Sequence, residues 1–230
     1  MRTVVVLLSL ATAAAAADYR IVRRTTIDDG ARQEQTEYWT SRRVVVDDPH
    51  QRTIVDFGAG TATIADKEAR TATTIRLEDL RRGLLAVGTI LEALPPGARE
   101  AAGVGRNLRL AATGNFTTIA DRRAREYAIG GENVTGWVWL AEDLDPRAIL
   151  GDEASAWWRA GGPLRVVGPL GDVARAIEAA HLKGMPVWAW LTAGSERGTS
   201  TIASEVVSIA EGRPPADVLR VPAGYREAPY

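Results

Sequence analysis

The sequence predicts an α+β fold: a curved antiparallel sheet, open like a half-barrel, that about three helices cover. Three observations lead to this prediction. Apolar and β-branched residues alternate with a period near two over most of the chain. Turn residues, as in Asp28-Asp29-Gly30, separate these runs at intervals too short for a crossover helix. The period lengthens to that of a helix in three stretches, which do not alternate regularly with the strands.

The first half of the chain predicts a meander followed by one helix. Strands are expected at residues 19–28, 32–40, 42–47, 52–57, 61–65 and 69–75. From Leu77 to Leu94, apolar residues recur at alternating steps of three and four, which predicts an amphipathic helix. Pro95-Pro96-Gly97 ends this helix, because proline cannot donate the next backbone hydrogen bond.

The second half predicts further strands and two more helices. The strands are expected at residues 107–112, 115–119, 124–129, 133–141, 187–192 and 199–210. Asp145 is the predicted N-cap of one helix, with Pro146 at its first position. The other helix spans about residues 171–183, with Gly184 as its C-cap. No G-x-G-x-x-G follows a strand, which disfavours a Rossmann fold, and a closed lipocalin barrel accommodates mid-chain helices poorly.

The first seventeen residues are typical of a secretory signal peptide. Arg2 precedes a short apolar stretch, and the segment ends in a run of alanines, so cleavage is expected between Ala17 and Asp18. Residues 18–230 then form a single domain that is periplasmic or secreted. The apolar stretch is shorter than the roughly 20 residues of a transmembrane helix, so no integral span is expected after cleavage.

Composition excludes several kinds of chemistry. The chain has no cysteine, and 28 Lys and Arg balance 29 Asp and Glu, giving a formal net charge of −1. Disulfides and thiol nucleophiles are therefore excluded, and a nucleic-acid partner is not expected. His50 lies in a predicted turn, and His181 lies at the end of the third helix. Ser195 lacks a G-x-S-x-G context and is predicted to lie in a hairpin turn. No catalytic residue, metal or cofactor is predicted.

Tryptophan supplies the strongest local pattern. Trp137 and Trp139 are two residues apart on one strand, and Trp188 and Trp190 are two apart on another, so each pair shares a sheet face. All seven indoles are expected to converge on the hollow of the sheet beneath a helical lid. A plain sheet-on-helix core remains the alternative, because aromatic stripes usually pack. The predicted ligand-binding residues are Trp137, Trp139, Trp188 and Trp190 on the sheet and Leu84, Leu91 and Trp157 on the lid.

Three stretches resemble an uncharacterised family of exported bacterial proteins. They are Thr113-Gly114 through Glu126-Tyr127 to Trp137-Val138-Trp139-Leu140, then Gly184-Met185-Pro186, and finally Val221-Pro222-Ala223-Gly224-Tyr225. A cysteine common before the tyrosine in that family is absent here. The order of strands and helices also resembles the outer-membrane lipoprotein carrier superfamily. That resemblance implies an open half-barrel whose concave side, lidded by helices, holds acyl chains.

Together these observations predict a periplasmic, non-enzymatic protein that carries an apolar or acyl ligand, such as a lipid or lipoprotein. One alternative is an envelope protein-interaction module that uses a free sheet edge or the tail after Gly212. Another is a hydrolase whose site has no recognisable motif. The sequence does not distinguish an open pocket from a filled core, and it leaves the ligand and the oligomeric state undetermined.

Overall fold

This computed structural model describes residues 17–28, 30, 32–80, 82–83, 108–151, 169–195 and 198–229. They form one twelve-stranded sheet, which is curved and unclosed within the described part of the chain. The strands are β1 (Tyr19–Ile27), β2 (Arg32–Trp39), β3 (Arg43–Asp47), β4 (Gln51–Asp56), β5 (Thr61–Asp66), β6 (Thr71–Arg76), β7 (Arg109–Ile119), β8 (Arg122–Gly131), β9 (Val134–Ala141), β10 (Met185–Ser195), β11 (Gly198–Glu211) and β12 (Arg226–Glu227).

The spatial order of the strands is β12-β6-β5-β4-β3-β2-β1-β11-β10-β9-β8-β7. All neighbours are antiparallel except β12, which runs parallel to β6. Two local meanders, β2 to β6 and β7 to β9, are therefore joined through the central strands β1, β11 and β10. The predicted α+β class and the open antiparallel sheet are confirmed.

Strand register divides the sheet into two faces, because directly opposed residues lie on the same side. We call the first the core face, since it carries a nearly continuous set of buried side chains. They are Ile21, Glu37, Trp39, Val44, Val46 and Val55 in β1 to β4, and Tyr127, Val138, Leu140, Ala189 and Leu191 in β8 to β10. Apolar burial on this face is the main stabilising contribution to the fold.

Helical residues pack against the buried side chains in three places within the described residues. Residues 77–80 and 82–83 begin the predicted first helix, and Leu77 and Leu80 contact the core cluster. Residues 146–151 form a second helical segment, whose Ile149 is buried. The predicted N-cap is confirmed, since an oxygen of the Asp145 carboxylate accepts a 3.0 Å hydrogen bond from the Arg147 backbone N–H.

The third helical stretch along the chain, which we label α1, spans Pro169–Ala179. It covers the core face of β8 to β10 through Val173 and Ile177. The prediction that it continues to Lys183 with Gly184 as the cap is wrong. His181 is the left-handed residue that ends it, with φ of 51°. The backbone N–H of His181 donates to the carbonyl of Glu178, and that of Leu182 donates to the carbonyl of Ile177. This is a Schellman arrangement built without glycine at the left-handed position.

β7 is one strand, whereas the sequence predicts two strands separated by Thr113-Gly114. The pairing of β7 with β8 shifts register between Ala112 and Phe116, and Gly114 has φ of 87°. The glycine therefore forms a bulge inside a continuous edge strand, because only glycine adopts this conformation without strain.

The tail packs on the opposite face of the sheet, over β2 to β4. Buried Val218 lies against Tyr38, Val45 and Ile54. The guanidinium of Arg52 donates to the backbone carbonyls of residues 217 and 220 at 3.2 and 3.4 Å. The tail thus covers this face over β2 to β4, and its strand β12 pairs with β6 at the edge of the sheet.

The carboxylate of Asp47 holds Arg52 in position. It accepts hydrogen bonds from Nε and Nη2 of Arg52 at 3.0 Å and lies 3.0 Å from Nζ of Lys67. Burial alone raises the pKa of Asp47, but the bonds from Arg52 and Lys67 outweigh it and lower the pKa below its ordinary value. The ionised carboxylate is therefore favoured by folding.

We expect Asp47→Asn to lower the melting temperature at neutral pH and to release the tail. A pKa lowered by folding contributes stability above the unfolded value, about 3.9 for aspartate, which is lost as the pH falls through the folded value. The difference in melting temperature between the wild type and the variant should therefore disappear as the pH falls below about 4. Thermal unfolding followed by circular dichroism across pH measures it, with Glu68→Gln in an exposed turn as the control. A gap that stays constant down to low pH would contradict the assignment.

Candidate functional site

Four tryptophans form one continuous aromatic surface on the face opposite the core face. Trp137 lies directly opposite Trp190, and Trp139 lies directly opposite Trp188, across the pairing of β9 with β10. The ring centroids of Trp137 and Trp190 are 5.2 Å apart, with 31° between the ring planes. We call these four residues the indole surface.

The indole surface is partly open to solvent. Trp137 is 43% exposed, and the other three indoles are half-buried. Along β9 the intervening residues Val134, Gly136, Val138 and Leu140 are buried on the core face, where the cluster beneath α1 includes all of them except the glycine. The strands are thus covered by α1 on the core face. On the other face Trp137 is exposed to solvent, and Trp139 packs against the buried cluster that includes Ile149 and Leu150.

A close approach of two backbones fixes the register that assembles this surface. Gly136 in β9 lies opposite Leu191 in β10. A methyl group at Gly136 would lie 2.0 Å from the carbonyl oxygen of Trp190, well inside van der Waals contact. Only glycine fits here, so β9 and β10 approach closely at the position next to the Trp137–Trp190 pair.

The strands on either side extend the indole surface into two rows of directly opposed residues. One row is Ala128, Trp137, Trp190 and Ala203, and the other is Glu126, Trp139, Trp188 and Glu205. Small side chains therefore flank the more exposed indole pair, which leaves its edges accessible. Carboxylates flank the second pair. Sequence reasoning missed these flanking residues, because cross-strand register cannot be read from a single sequence.

Glu126 is held in a defined position beside Trp139. Its Oε2 accepts a 2.7 Å hydrogen bond from the Thr113 hydroxyl and a 2.6 Å bond from Nδ2 of Asn115. Both donors come from the β7 bulge around Gly114. The bulge therefore brings two neutral side chains to a carboxylate on the neighbouring strand.

The first stretch of the family resemblance is thus one structural unit. Thr113-Gly114, Glu126 and Trp139 lie far apart in sequence but are brought together by β7, β8 and β9. The second stretch, Gly184-Met185-Pro186, lets two backbone segments pack closely. A Cβ on Gly184 would lie 2.6 Å from the carbonyl oxygen of Ala141. The third lies in the tail, where the residue after Tyr225 donates its backbone N–H to the carbonyl of Arg70.

The predicted lid and the predicted convergence of the indoles both depend on residues outside the described ones. Leu84, Leu91 and Trp157 lie outside the described residues, so their predicted role stays a prediction. The expectation that all seven indoles converge stays a prediction, because Trp157 and Trp158 lie outside the described residues. Trp39 belongs to the buried cluster that Trp139 also contacts. Register places Trp39 on the core face, where it is fully buried and its Nε1–H donates a 3.0 Å hydrogen bond to Glu37.

The other candidate side chains lie in turns. An oxygen of the Asp48 carboxylate accepts hydrogen bonds from the backbone N–H groups of His50 and Gln51, which confirms the predicted turn. Ser195 lies opposite Gly198 where β10 meets β11. Within the described ranges, acidic and histidine side chains form no group able to hold a metal ion. Likewise, none of the helices described is long and apolar enough to cross a membrane.

No protein-family model matches this chain, and no curated protein matches it. Solved structures with a similar outline include an uncharacterized conserved protein from Thermus thermophilus. It is 7% identical, the match covers 94% of this chain and 91% of that one, and the TM-score is 0.47. A structure of PNGF-II is 12% identical over 94% of this chain with a TM-score of 0.43, and this chain spans only 31% of that protein.

A LolA superfamily protein from Nitrosomonas europaea is also similar. It is 9% identical, the match covers 90% of each chain, and the TM-score is 0.28. No family model supports the resemblance to the exported family. Function does not follow from likeness at this level, so it must be argued from this chain's own residues.

We expect Gly136→Ala to destabilise the protein by about 1–3 kcal/mol, because the added methyl group would force β9 away from β10. The exciton signal of the Trp137–Trp190 pair in circular dichroism should weaken at the same time. Urea unfolding measures the loss of stability. Gly130→Ala in β8 is the matched control, since nothing lies within 4 Å of its added Cβ. Equal stability of the two variants would show that the close approach does not constrain the sheet.

Proposed function

We propose that this chain is a non-enzymatic, exported binding protein that takes an apolar or acyl ligand on the indole surface. The observation that supports this most is the 43% exposure of Trp137 in the middle of a strand, stacked beside Trp190. Large aromatic side chains at strand centres normally pack against another layer. Here Trp139 packs against the buried cluster that contains Leu144 and Ile149, whereas Trp137 keeps its large exposure among the described residues.

The magnitude of the burial available is sufficient for a ligand. Covering the exposed part of one indole removes about 100 Å² from water, which is worth about 2.5 kcal/mol. Each methylene of a bound chain that is buried adds about 0.8 kcal/mol. An alkyl chain lying along both indole pairs would therefore bind with micromolar affinity after the cost of immobilising it.

The indole surface is also rigidly supported. Val138 and Leu191 lie behind it on the core face, where both are fully buried in the cluster beneath α1. Rings carried by such strands lose little freedom on binding, which favours affinity. Export into the periplasm, which rests on the N-terminal seventeen residues, remains part of the proposal.

A specific observation favours a second candidate, a protein-interaction module. β7 is an eleven-residue edge strand, and nearly all of it is exposed. In the described part of the chain its outer edge has no hydrogen-bonded neighbour, so an extended peptide could add to it by β-augmentation. The tail fits this role less well, because its residues 217–220 already pack on the sheet.

We expect decyl maltoside, below its critical micelle concentration, to change the tryptophan fluorescence of the purified protein in a saturable titration. Trp137→Ala should weaken its binding at least tenfold, since about 1.4 kcal/mol of burial corresponds to that factor. Mass spectrometry of organic extracts of the purified protein should also find a co-purified lipid.

Phe116→Ala is the matched control, because Phe116 is an aromatic residue of similar exposure, 49%, outside the indole surface. It should bind decyl maltoside as the wild type does. Absence of both a fluorescence response and a co-purified lipid would overturn the proposed function. Periplasmic crosslinking that traps a protein through β7 would then favour the second candidate.

A further inference from the structure

We infer that the ligand of the indole surface carries a quaternary ammonium head, so that the site takes cationic alkyl amphiphiles in preference to anionic ones. This inference rests on the proposed function and adds the chemistry of the head group. It follows from the charges that accompany the indoles across the sheet.

Charged residues continue the second row of the indole surface across six strands. Beyond Glu126, Trp139, Trp188 and Glu205 on β8 to β11, the directly opposed residues are Arg24 on β1 and Glu34 on β2. Three carboxylates and one guanidinium therefore share this row. Its formal charge is −2, although the whole chain is close to neutral.

The one guanidinium is shared by two carboxylates at the far end of the row. Nη1 of Arg24 lies 2.8 Å from Oε1 of Glu205, and its Nη2 lies 3.4 Å from Oε2 of Glu34. Glu205 is thus largely balanced by a cation. An anionic head group placed between the two indole pairs would still meet a surplus of negative charge.

Glu126 differs from Glu205 because the side chains that donate hydrogen bonds to it are neutral. The Thr113 hydroxyl and the Asn115 amide both donate to its Oε2, and within the described residues no cationic side chain lies within ion-pair distance of it. These bonds orient the carboxylate beside Trp139 without cancelling its charge. The result is a fixed negative group at the border of an aromatic surface.

The two features select the same chemistry. The face of an indole ring carries negative electrostatic potential and attracts cations, and tryptophan does so more strongly than other aromatic residues. A quaternary ammonium is large, weakly hydrated and unable to donate hydrogen bonds, so it contacts indoles at little desolvation cost. Glu126 then supplies the charge complement, while the alkyl chain lies over Trp137 and Trp190.

The test compares three probes with the same ten-carbon chain below their critical micelle concentrations: decyltrimethylammonium, decyl maltoside and decyl sulfate. In fluorescence titrations of the full chain we expect decyltrimethylammonium to bind roughly three- to thirtyfold more tightly than decyl maltoside. Decyl sulfate should bind most weakly. Raising the salt concentration should reduce the preference for the cation, because ions screen exposed charges.

Glu126→Gln keeps a hydrogen-bonding side chain beside Thr113 and Asn115 but removes the charge. We expect it to lose most of the preference for the cationic head, measured in the same variant as the ratio of its affinity for decyltrimethylammonium to its affinity for decyl maltoside. Glu132→Gln, in the exposed turn between β8 and β9, is the control that keeps the preference. Circular dichroism verifies folding of each variant, and the salt dependence of the wild type tests the inference even if Glu126→Gln does not fold.

The outcomes separate the two proposals. Equal binding of all three probes by the wild type, or a preference unchanged in folded Glu126→Gln, overturns the inference and leaves the apolar binding function standing. Failure of all three probes to bind overturns the proposed function, and this inference with it. Binding of the cation alone, with loss of that binding in Glu126→Gln, supports the head-group chemistry over alkyl burial.

Discussion

The register between β9 and β10 is the constraint on which the rest of the molecule depends. Because the backbones meet closely at Gly136, the two strands cannot slip relative to one another without a clash or a lost row of hydrogen bonds. A shift by one residue would move every indole of one strand to the core face and bring apolar residues such as Val138 into water. One glycine therefore couples the packing beneath α1 to the composition of the opposite face.

The two faces of the sheet differ in how they are covered. The core face is buried from β1 through β4 and again from β8 to β10, where α1 packs. The opposite face is covered by the tail over β2 to β4, yet over β9 and β10 it keeps a half-exposed aromatic surface. This division explains how a chain without cysteine can remain stable and still present a binding surface, because burial on one face supports the other.

Strands, turns and the tryptophan pairs were predictable because their signals are local. Alternation placed Trp137 with Trp139 and Trp188 with Trp190, and the N-cap at Asp145 followed from residue type alone. The bulge at Gly114 and the left-handed His181 were not predicted, since both depend on backbone geometry that neighbouring elements impose. The row from Glu126 to Glu205 also escaped prediction, because it joins residues from four strands whose mutual register no local pattern encodes.

The pairing of β1 with β11 has a consequence for how the chain folds. Tyr19 and Glu211 are partners although roughly 190 residues separate them, whereas most other strand pairs are hairpins of short sequence separation. The entropy of closing so long a loop grows only slowly with length, but the contact order of the sheet is raised and folding is slowed. The hairpins on either side are expected to form first, because their partners are close in sequence. The pairing of β1 with β11 then forms late and joins the two groups of strands. Until β1 pairs with β11, both strands present unpaired backbone edges that can pair with other chains. A chaperone would therefore prevent the most aggregation at this stage of folding.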